Sequence, residues 1–340
     1  MKILILGANG FIGSHLSETI LTQTDWHIDA MDLNDNKLSN CLNHSRFHFT
    51  MGDITKNKTW ITSHIEQCDV ILPLVAIATP MLYVQNPLAV FELDFEANLN
   101  IIRECVAQSK RVIFPSTSEV YGMCPDQEFD ELASHLVTGP IHKERWVYST
   151  SKQLLDRLIY AYGKRENFSY TLFRPFNWYG PRLDDVLNPK PGGSRVLTQF
   201  IGNILRGEPI HLVGGGAQQR CFTYIDDGVD ALVKIIANKN DGAHNKIFNV
   251  GNPVENISIR QLAEILIQFI VNYYPEYAEK AKNVKLIEVD AHQYYGDGYQ
   301  DVTLRVPNIQ RAQQDLAWMP KVDLQVGLRK TLDYYLDGRR

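Results

Sequence analysis

The stretch Lys2-Ile3-Leu4-Ile5-Leu6-Gly7-Ala8-Asn9-Gly10-Phe11-Ile12-Gly13 decides the fold. A short apolar run, glycines spaced GxxGxxG and an amphipathic segment read as strand, tight turn and helix. Glycine permits the turn and lets backbone amides approach a pyrophosphate at the helix N-terminus. Asp32 lies nineteen residues after Gly13, at the end of a second apolar run. A carboxylate there can bind both ribose hydroxyls and would repel a 2′-phosphate, which favours NAD over NADP. Gly7, Gly10, Phe11, Ile12, Gly13 and Asp32 are thus the first cofactor-binding candidates. The plainer reading is a strand–helix turn followed by a surface aspartate.

Outward from this stretch, short apolar runs alternate with amphipathic segments. The runs at 27–31, 46–50, 69–74, 111–115 and 170–173 read as strands, and 11–22, 57–67, 87–108 and 146–164 as helices. Continuous apolar strands alternating with helices predict a parallel sheet covered on both faces. Right-handed crossovers make it a doubly wound α/β Rossmann fold. Asp53 and Ile54, after the third strand, could meet an adenine ring, or Asp53 could cap the next helix. Leu74 and Ala76 follow the fourth strand, where small apolar residues can flank a cofactor. After Arg174 the texture changes. Residues 183–194 read as a loop, 195–206 as a helix, 214–216 as a turn, 226–237 as a helix and 246–250 as a strand, ahead of helices at 258–271 and 324–336. The expected organisation is an NAD-binding Rossmann domain over 1–176, with a return segment near 222–250. A smaller mixed α/β substrate-binding domain takes 177–221 and 251–340.

With 340 residues, 44% of them hydrophobic, the chain can bury a sizeable core as one large or two modest domains. A net charge of −5 and a pI of about 6.1 give no global attraction to nucleic acid or to an anionic membrane. Cys41, Cys68, Cys105, Cys124 and Cys221 form no CxxC pair, so neither a metal site nor a disulfide framework is expected. Reduced thiols and a cytoplasmic setting are the expectation. No apolar run reaches membrane-spanning length, and the first one is too short for a signal peptide.

Ser116-Thr117-Ser118-Glu119 crowds three hydroxyls and a carboxylate at the end of the fifth strand. Such groups either cap the next element or line a site at the carboxyl edge of the sheet. Further on, Tyr148-Ser149-Thr150-Ser151-Lys152 starts a long helix and places Tyr148 and Lys152 on one face at i and i+4. A tyrosine ordinarily titrates at about 10. A nearby ammonium and the positive ring of an oxidised nicotinamide both favour the phenolate. Tyr148 could then take the proton of a substrate hydroxyl while hydride leaves the same carbon. The plainer reading is a half-buried tyrosine and a solvated lysine.

The order of glycine loop, strand-end hydroxyl and YxxxK resembles the extended short-chain dehydrogenase/reductases that act on nucleotide sugars, over nearly the whole chain. This resemblance implies NAD as cofactor and Thr117 as the catalytic hydroxyl, with Tyr148 and Lys152 as its partners. It also implies Asn98, in Asp94-Phe95-Glu96-Ala97-Asn98, as a structural asparagine of the cofactor site. Family 4,6-dehydratases carry Asp-Glu after the hydroxyl residue to protonate a leaving hydroxyl. Ser118-Glu119 resembles instead the pair of UDP-glucuronate decarboxylases. Segments 72–80, 114–124, 151–157, 172–178 and 299–302 are similar to the ArnA-type decarboxylase domains, and UDP-xylose and UDP-apiose/xylose synthases are similar too. Arg305 matches the arginine implicated in decarboxylation there, with a surface ion pair as its plainer reading. Glu119 could orient a water or a sugar hydroxyl, or make a buried bond to backbone.

For the UDP end, the resemblance implies Asn177, Arg195 and Arg220 as substrate contacts. Tyr299 reads as a sugar contact or a core residue, and Arg174 as a brace for its loop. Ala217 and Val306 depart from basic residues of the ArnA-type domains, and the length is expected to leave no room for a fused formyltransferase unit. The implied reaction is oxidation of UDP-glucuronate at C4 with loss of carbon dioxide from C6, giving a UDP-4-keto-pentose or UDP-xylose. A 4-epimerase using the same Tyr148, and an NAD- and UDP-sugar-binding protein without catalysis, are the alternatives. A homodimer, or a larger homo-oligomer, paired through the helices at 87–108 and 146–164 is also implied.

Overall fold

In the computed structural model of the protein, which describes residues 1–188 and 194–337, the glycine loop joins β1 (Lys2–Leu6) to α1 (Phe11–Gln23). The chain continues through β2 (His27–Asp32), β3 (Phe47–Met51), α2 (Lys58–Gln67) and β4 (Val70–Pro73). Two short helices, α3 (Pro80–Gln85) and α4 (Pro87–Phe91), a π-helical turn at Glu92–Ala97 and α5 (Asn98–Ala107) lead to β5 (Arg111–Pro115). Then α6 (Trp146–Arg165) leads to β6 (Tyr170–Pro175). With Lys246–Val250 these strands form one parallel sheet in the order β3-β2-β1-β4-β5-β6, closed at the edge by Lys246–Val250. This is the doubly wound sheet expected. Its strand order reverses between β1 and β4, which opens a crevice at the carboxyl edge.

Strand side chains alternate between faces, so β1 splits its residues between two cores. Ile3 and Ile5 join Leu16 and Ile20 of α1 and Leu232 and Ile235 of the helix Ile225–Ala237. Leu4 and Leu6 join Ile61 and Ile65 of α2, Ile102 of α5 and Ile159 of α6. Each fully buried aliphatic side chain contributes about 1.5–3 kcal/mol. A strand apolar on both faces is therefore stable only with helices on both sides.

The helix expected at 87–108 runs without a break from Pro87 to Ala107 and carries a π-helical turn within it. Pro80 and Pro87 each sit in a first helical turn, where the missing N–H is not needed. Asn86 accepts the Ala89 N–H and caps α4. The π-helical turn then inserts an extra residue before α5. Beyond β6, the helices Val196–Arg206 and Ile259–Tyr273 fall where expected, with Arg195 and Ser258 as their N-caps. Of the loop expected at 183–194, residues 189–193 lie outside the described residues. A helix at Pro275–Asn283 and a strand at Leu286–Val289, paired with Ile210–Val213, were not foreseen. The first is too polar and the second too short to show periodicity. Among the described residues no helix is long and apolar enough to cross a membrane.

Candidate active site

Gly7, with φ 89°, takes a conformation that side chains rarely adopt, and a Cβ there would stand 3.1 Å from the Leu74 backbone. A Cβ on Gly13 would lie 2.4 Å from the Gly7 carbonyl oxygen. The glycines thus allow α1, its loop and the end of β4 to meet at backbone distance. Gly10, the N-cap of α1, has no side chain to satisfy the first-turn N–H groups, the arrangement a pyrophosphate requires. Asp32 ends β2 and accepts the Asn9 N–H at 2.8 Å and the Leu33 N–H at 2.7 Å. Burial raises its pKa against the pull of these bonds. Its two oxygens offer about four acceptor sites, so it retains acceptor capacity for a ribose hydroxyl beside these backbone bonds. The Asn9 side chain donates to Asn34 at 2.5 Å and Asn36 at 2.9 Å and accepts the Lys37 N–H at 2.7 Å, lacing the loop to the segment after β2.

The other cofactor candidates fall around this cradle. Leu74 and Ala76 are half-buried beyond β4, and the Leu74 N–H donates to the Leu6 carbonyl at 2.7 Å. Ile54 packs on the core between sheet and α2. Asp53 accepts the Thr55 N–H at 2.9 Å and hydroxyl at 2.7 Å in a local turn; the N-cap of α2 is Asn57, so Asp53 does not cap that helix. Asn98 donates to the Val75 and Leu93 carbonyls at 3.2 and 3.0 Å, bracing the β4 end from inside the molecule.

At the end of β5, Thr117 accepts the Glu119 N–H at 3.2 Å and caps the short turn Ser118–Tyr121. Its hydroxyl also lies near enough to the Tyr148 phenol to pull that phenol's pKa down. The strand-end hydroxyl therefore caps the next element, and of this stretch Glu119 lines a cavity. Burial pushes the Tyr148 phenol well up and the Asp94 charge adds to this, while the Thr117 hydroxyl opposes it. Lys152, almost wholly buried, donates to the Pro115 carbonyl at 3.1 Å and sits 4.8 Å over the Phe114 ring. The sequence reading has Lys152 favouring the phenolate. In the structure desolvation dominates, and Lys152 turns its Nζ to backbone. Burial lowers the Lys152 pKa, and Asp94 and Asp156 act against that.

Asp94 carries no signal in the sequence beyond its place four residues before Asn98. The π-helical turn places it, fully buried, by this lysine. Its Oδ1 accepts the Ile77 N–H at 2.7 Å, and its Oδ2 has no partner among the described residues. Burial raises its carboxyl to about 6, against the pull of Lys152. On the other side, Asp156 accepts the Ser116 hydroxyl at 2.7 Å and Arg174 at 3.2 Å. Arg174 also donates to the Tyr121 hydroxyl at 2.9 Å, so it braces its loop.

Glu119 accepts Arg145 at 2.5 Å on one carboxylate oxygen and Arg305 on the other. Burial alone would raise its pKa; the two guanidiniums hold it down to about 2. Glu119 thus bonds two arginines rather than backbone, and Arg305, 5% exposed, is no surface pair. Arg145 also donates to the Gln300 carbonyl at 2.9 Å and lies 4.5 Å over the Trp146 ring. Arg220 donates to the Gln219 and Val302 carbonyls and to Asp301, each at 2.8 Å. Tyr299 stacks on Tyr295 at 4.1 Å and lies 5.4 Å from the Arg145 guanidinium.

These groups line one end of a cavity of about 380 Å³, whose walls also include Asn177, Arg195 and Arg206. Asn177 holds φ 42° and donates to the Cys221 carbonyl at 3.1 Å. Arg195 pairs with Asp184 at 2.5 Å and stays partly exposed. Ser118 is buried within its turn and does not line this cavity, nor do Thr117 and Tyr148. Tyr83 of α3 stacks on Tyr148 with ring centres 4.5 Å apart and planes 6° from parallel. Sequence reasoning missed Tyr83, Arg145 and Asp156. Only Asp156 had a local signal, one helical turn beyond Lys152 on the same face.

The glycine cradle, the Tyr–Lys pair and the charged cavity at one sheet edge define an enzyme of the Rossmann class. Residues 3–251 match the NAD dependent epimerase/dehydratase family. The crystal structure of PbgP3 protein from Burkholderia pseudomallei is 53% identical, with a TM-score of 0.90 over 99% of this chain and 96% of that one. A UDP-glucuronic acid 4-epimerase from Bacillus cereus, solved with UDP-glucuronic acid and NAD, is 24% identical, with a TM-score of 0.81 over 98% and 99% of the two chains. DesIV, a dTDP-glucose 4,6-dehydratase from Streptomyces venezuelae solved with NAD and TYD, is 21% identical, with a TM-score of 0.83 over 100% and 98%. The last two share the fold. The chain belongs to the NAD dependent epimerase/dehydratase family, and its cofactor is NAD.

Proposed function

We propose that the protein is an NAD-dependent UDP-glucuronate decarboxylase of the ArnA type. The observation that carries this reading is the Glu119–Arg145–Arg305 cluster. Two buried guanidiniums against one carboxylate leave one positive charge at the end of the cavity. A neutral sugar would leave that charge uncompensated, whereas a C6 carboxylate neutralises it. Glu119 also keeps the arginines from gripping that carboxylate as a full ion pair, which would stabilise the ground state and slow its loss.

Gly7, Gly10, Phe11, Ile12, Gly13 and Asp32 hold NAD by its pyrophosphate and ribose, with Leu74, Ala76 and Asn98 shaping the wall. When bound, NAD supplies a hydride acceptor for C4 and a positive ring that favours the Tyr148 phenolate. Tyr148 takes the C4 hydroxyl proton. The C4 ketone is β to the C6 carboxylate, so the C5–C6 electron pair can move toward the ketone oxygen as carbon dioxide leaves. Thr117 and Tyr148 hydroxyls donate to that oxyanion. Arg305 and Arg145 orient the carboxylate, while Arg195, Arg220 and Asn177 hold the UDP end and Tyr299 the sugar.

Incubation of the purified protein with UDP-glucuronate and NAD tests this. Carbon dioxide with stoichiometric NADH indicates a released 4-keto-pentose, and carbon dioxide without net NADH indicates UDP-xylose or UDP-apiose. No carbon dioxide refutes the reading. Epimerisation that survives Arg305→Ala would replace it with a 4-epimerase, and binding without turnover with a non-catalytic protein. We also assign residues 1–176 and 222–250 to the cofactor and 177–221 and 251–340 to the nucleotide sugar. A homodimer through α4, α5 and α6 is supported by a groove lined by Phe91, Phe95 and Val147, with Leu88 72% exposed beside it. Sedimentation of the purified protein checks that. A cytoplasmic setting is supported by the five cysteines, all buried and unpaired.

A further inference from the structure

Resting on the decarboxylase reading, we propose that Tyr83 is the acid that protonates C5 once carbon dioxide has left. The reaction needs one proton at that carbon, and the residues named so far do not supply it. Glu119, held down to about 2, is a carboxylate at neutral pH. Arg145 and Arg305 are guanidiniums, which do not give up protons in proteins. Lys152 lies with its Nζ on the Pro115 carbonyl. Tyr148 is engaged with the oxygen on C4.

Tyr83 stands where the proton is required. C5 is bonded to both C4 and C6, so it must lie between the base that oxidises C4 and the arginines that hold the carboxylate. Tyr83 is stacked on the base, with ring centres 4.5 Å apart and planes 6° from parallel. The two rings share one buried cluster with Val90, so the Tyr83 ring is held against the base by packing. Tyr83 also feels Arg145, a member of the carboxylate-holding cluster. Its short helix forms part of the cavity wall through Pro80 and Met81, while Tyr83, like Tyr148, is buried and does not itself line the cavity. Burial keeps the Tyr83 phenol protonated.

The step balances. Breaking C5–C6 releases carbon dioxide and leaves the electron pair in the C4–C5 enolate. That pair takes the Tyr83 proton to form the new C5–H bond, and the C4 oxygen returns to a ketone. Tyr83 is left as a phenolate facing the Arg145 charge, and water returns its proton. An enolate is far more basic than a phenolate, so a buried phenol is acid enough.

The test uses the full chain with UDP-glucuronate and NAD in deuterium oxide, quenched at once with borohydride. NMR then reads the two hydrogens at C5. The wild type should carry one deuterium on a single face. Tyr83→Phe keeps the ring stack, and retained NAD affinity reports its fold. Carbon dioxide release by this variant should fall at least about a hundredfold, the lower side of a positioned acid's contribution, with deuterium on both faces. Wild-type rate and single-face deuterium in Tyr83→Phe overturn the proposal while leaving the decarboxylase reading intact. The same holds if Tyr299→Phe loses the face selectivity instead. A wild type that releases no carbon dioxide overturns the decarboxylase reading itself, and this proposal with it.

Discussion

Replacing Asp94 by Asn should stabilise the protein at pH 8 and change it little at pH 4. Asp94 is fully buried, with one carboxylate oxygen bonded to the Ile77 N–H and the other without a partner among the described residues. Burial moves its carboxyl from the ordinary 3.8 to about 6, even with Lys152 pulling the other way. At about 1.4 kcal/mol per pH unit, the ionised form carries a penalty of about 3 kcal/mol in the folded state. A carboxyl with a raised folded pKa binds more protons folded than unfolded. Stability therefore falls as pH climbs from about 4 to about 6, and the penalty is complete above that window. The Asp94→Asn amide keeps an acceptor for Ile77 and cannot ionise, so it should gain about 3 kcal/mol at pH 8. Urea unfolding followed by tryptophan fluorescence at several pH values reads this, provided the m-value is unchanged. A difference that is constant with pH, or a loss of stability at pH 8, would refute the reasoning. The same charge opposes the Tyr148 phenolate. The acid limb of the pH–rate profile should therefore move to lower pH in the variant.

Other substitutions probe the remaining parts. In Gly13→Ala the new Cβ would lie 2.4 Å from the Gly7 carbonyl oxygen, so NAD affinity measured by titration should fall at least about tenfold. Glu119, lowered from 4.5 to about 2, contributes about 3 kcal/mol above pH 4.5 that is lost as pH falls toward 2. Acid unfolding of Glu119→Gln should lack that dependence. Tyr148→Phe should bind NAD normally and lose at least about a hundredfold in turnover.

The sheet was legible because its strands are apolar on both faces and end in glycine or polar residues. For β5 the expected and observed bounds coincide. The helix at 87–108 was legible, but the π-helical turn within it was not, because periodicity does not register one inserted residue. The glycine cradle was readable since its geometry is local. The partners of Glu119 were not, because Arg145 is 26 residues away and Arg305 is 186. Nothing in either neighbourhood marks which carboxylate it will meet. Asp94 stayed hidden for another reason. Its chemistry comes from burial beside Lys152, a property of packing rather than of residue type.

The distance along the chain between Glu119 and Arg305 has a consequence for biosynthesis. A ribosome emits the whole glycine cradle and its sheet while Arg305 is still unmade. Until residues 298–305 emerge, Glu119 lacks its second cation, and Arg145 lacks the Gln300 carbonyl. A chain that ends before Arg305 thus holds the whole glycine cradle while the Glu119 cluster is incomplete, so translation itself orders the appearance of the two halves of the site.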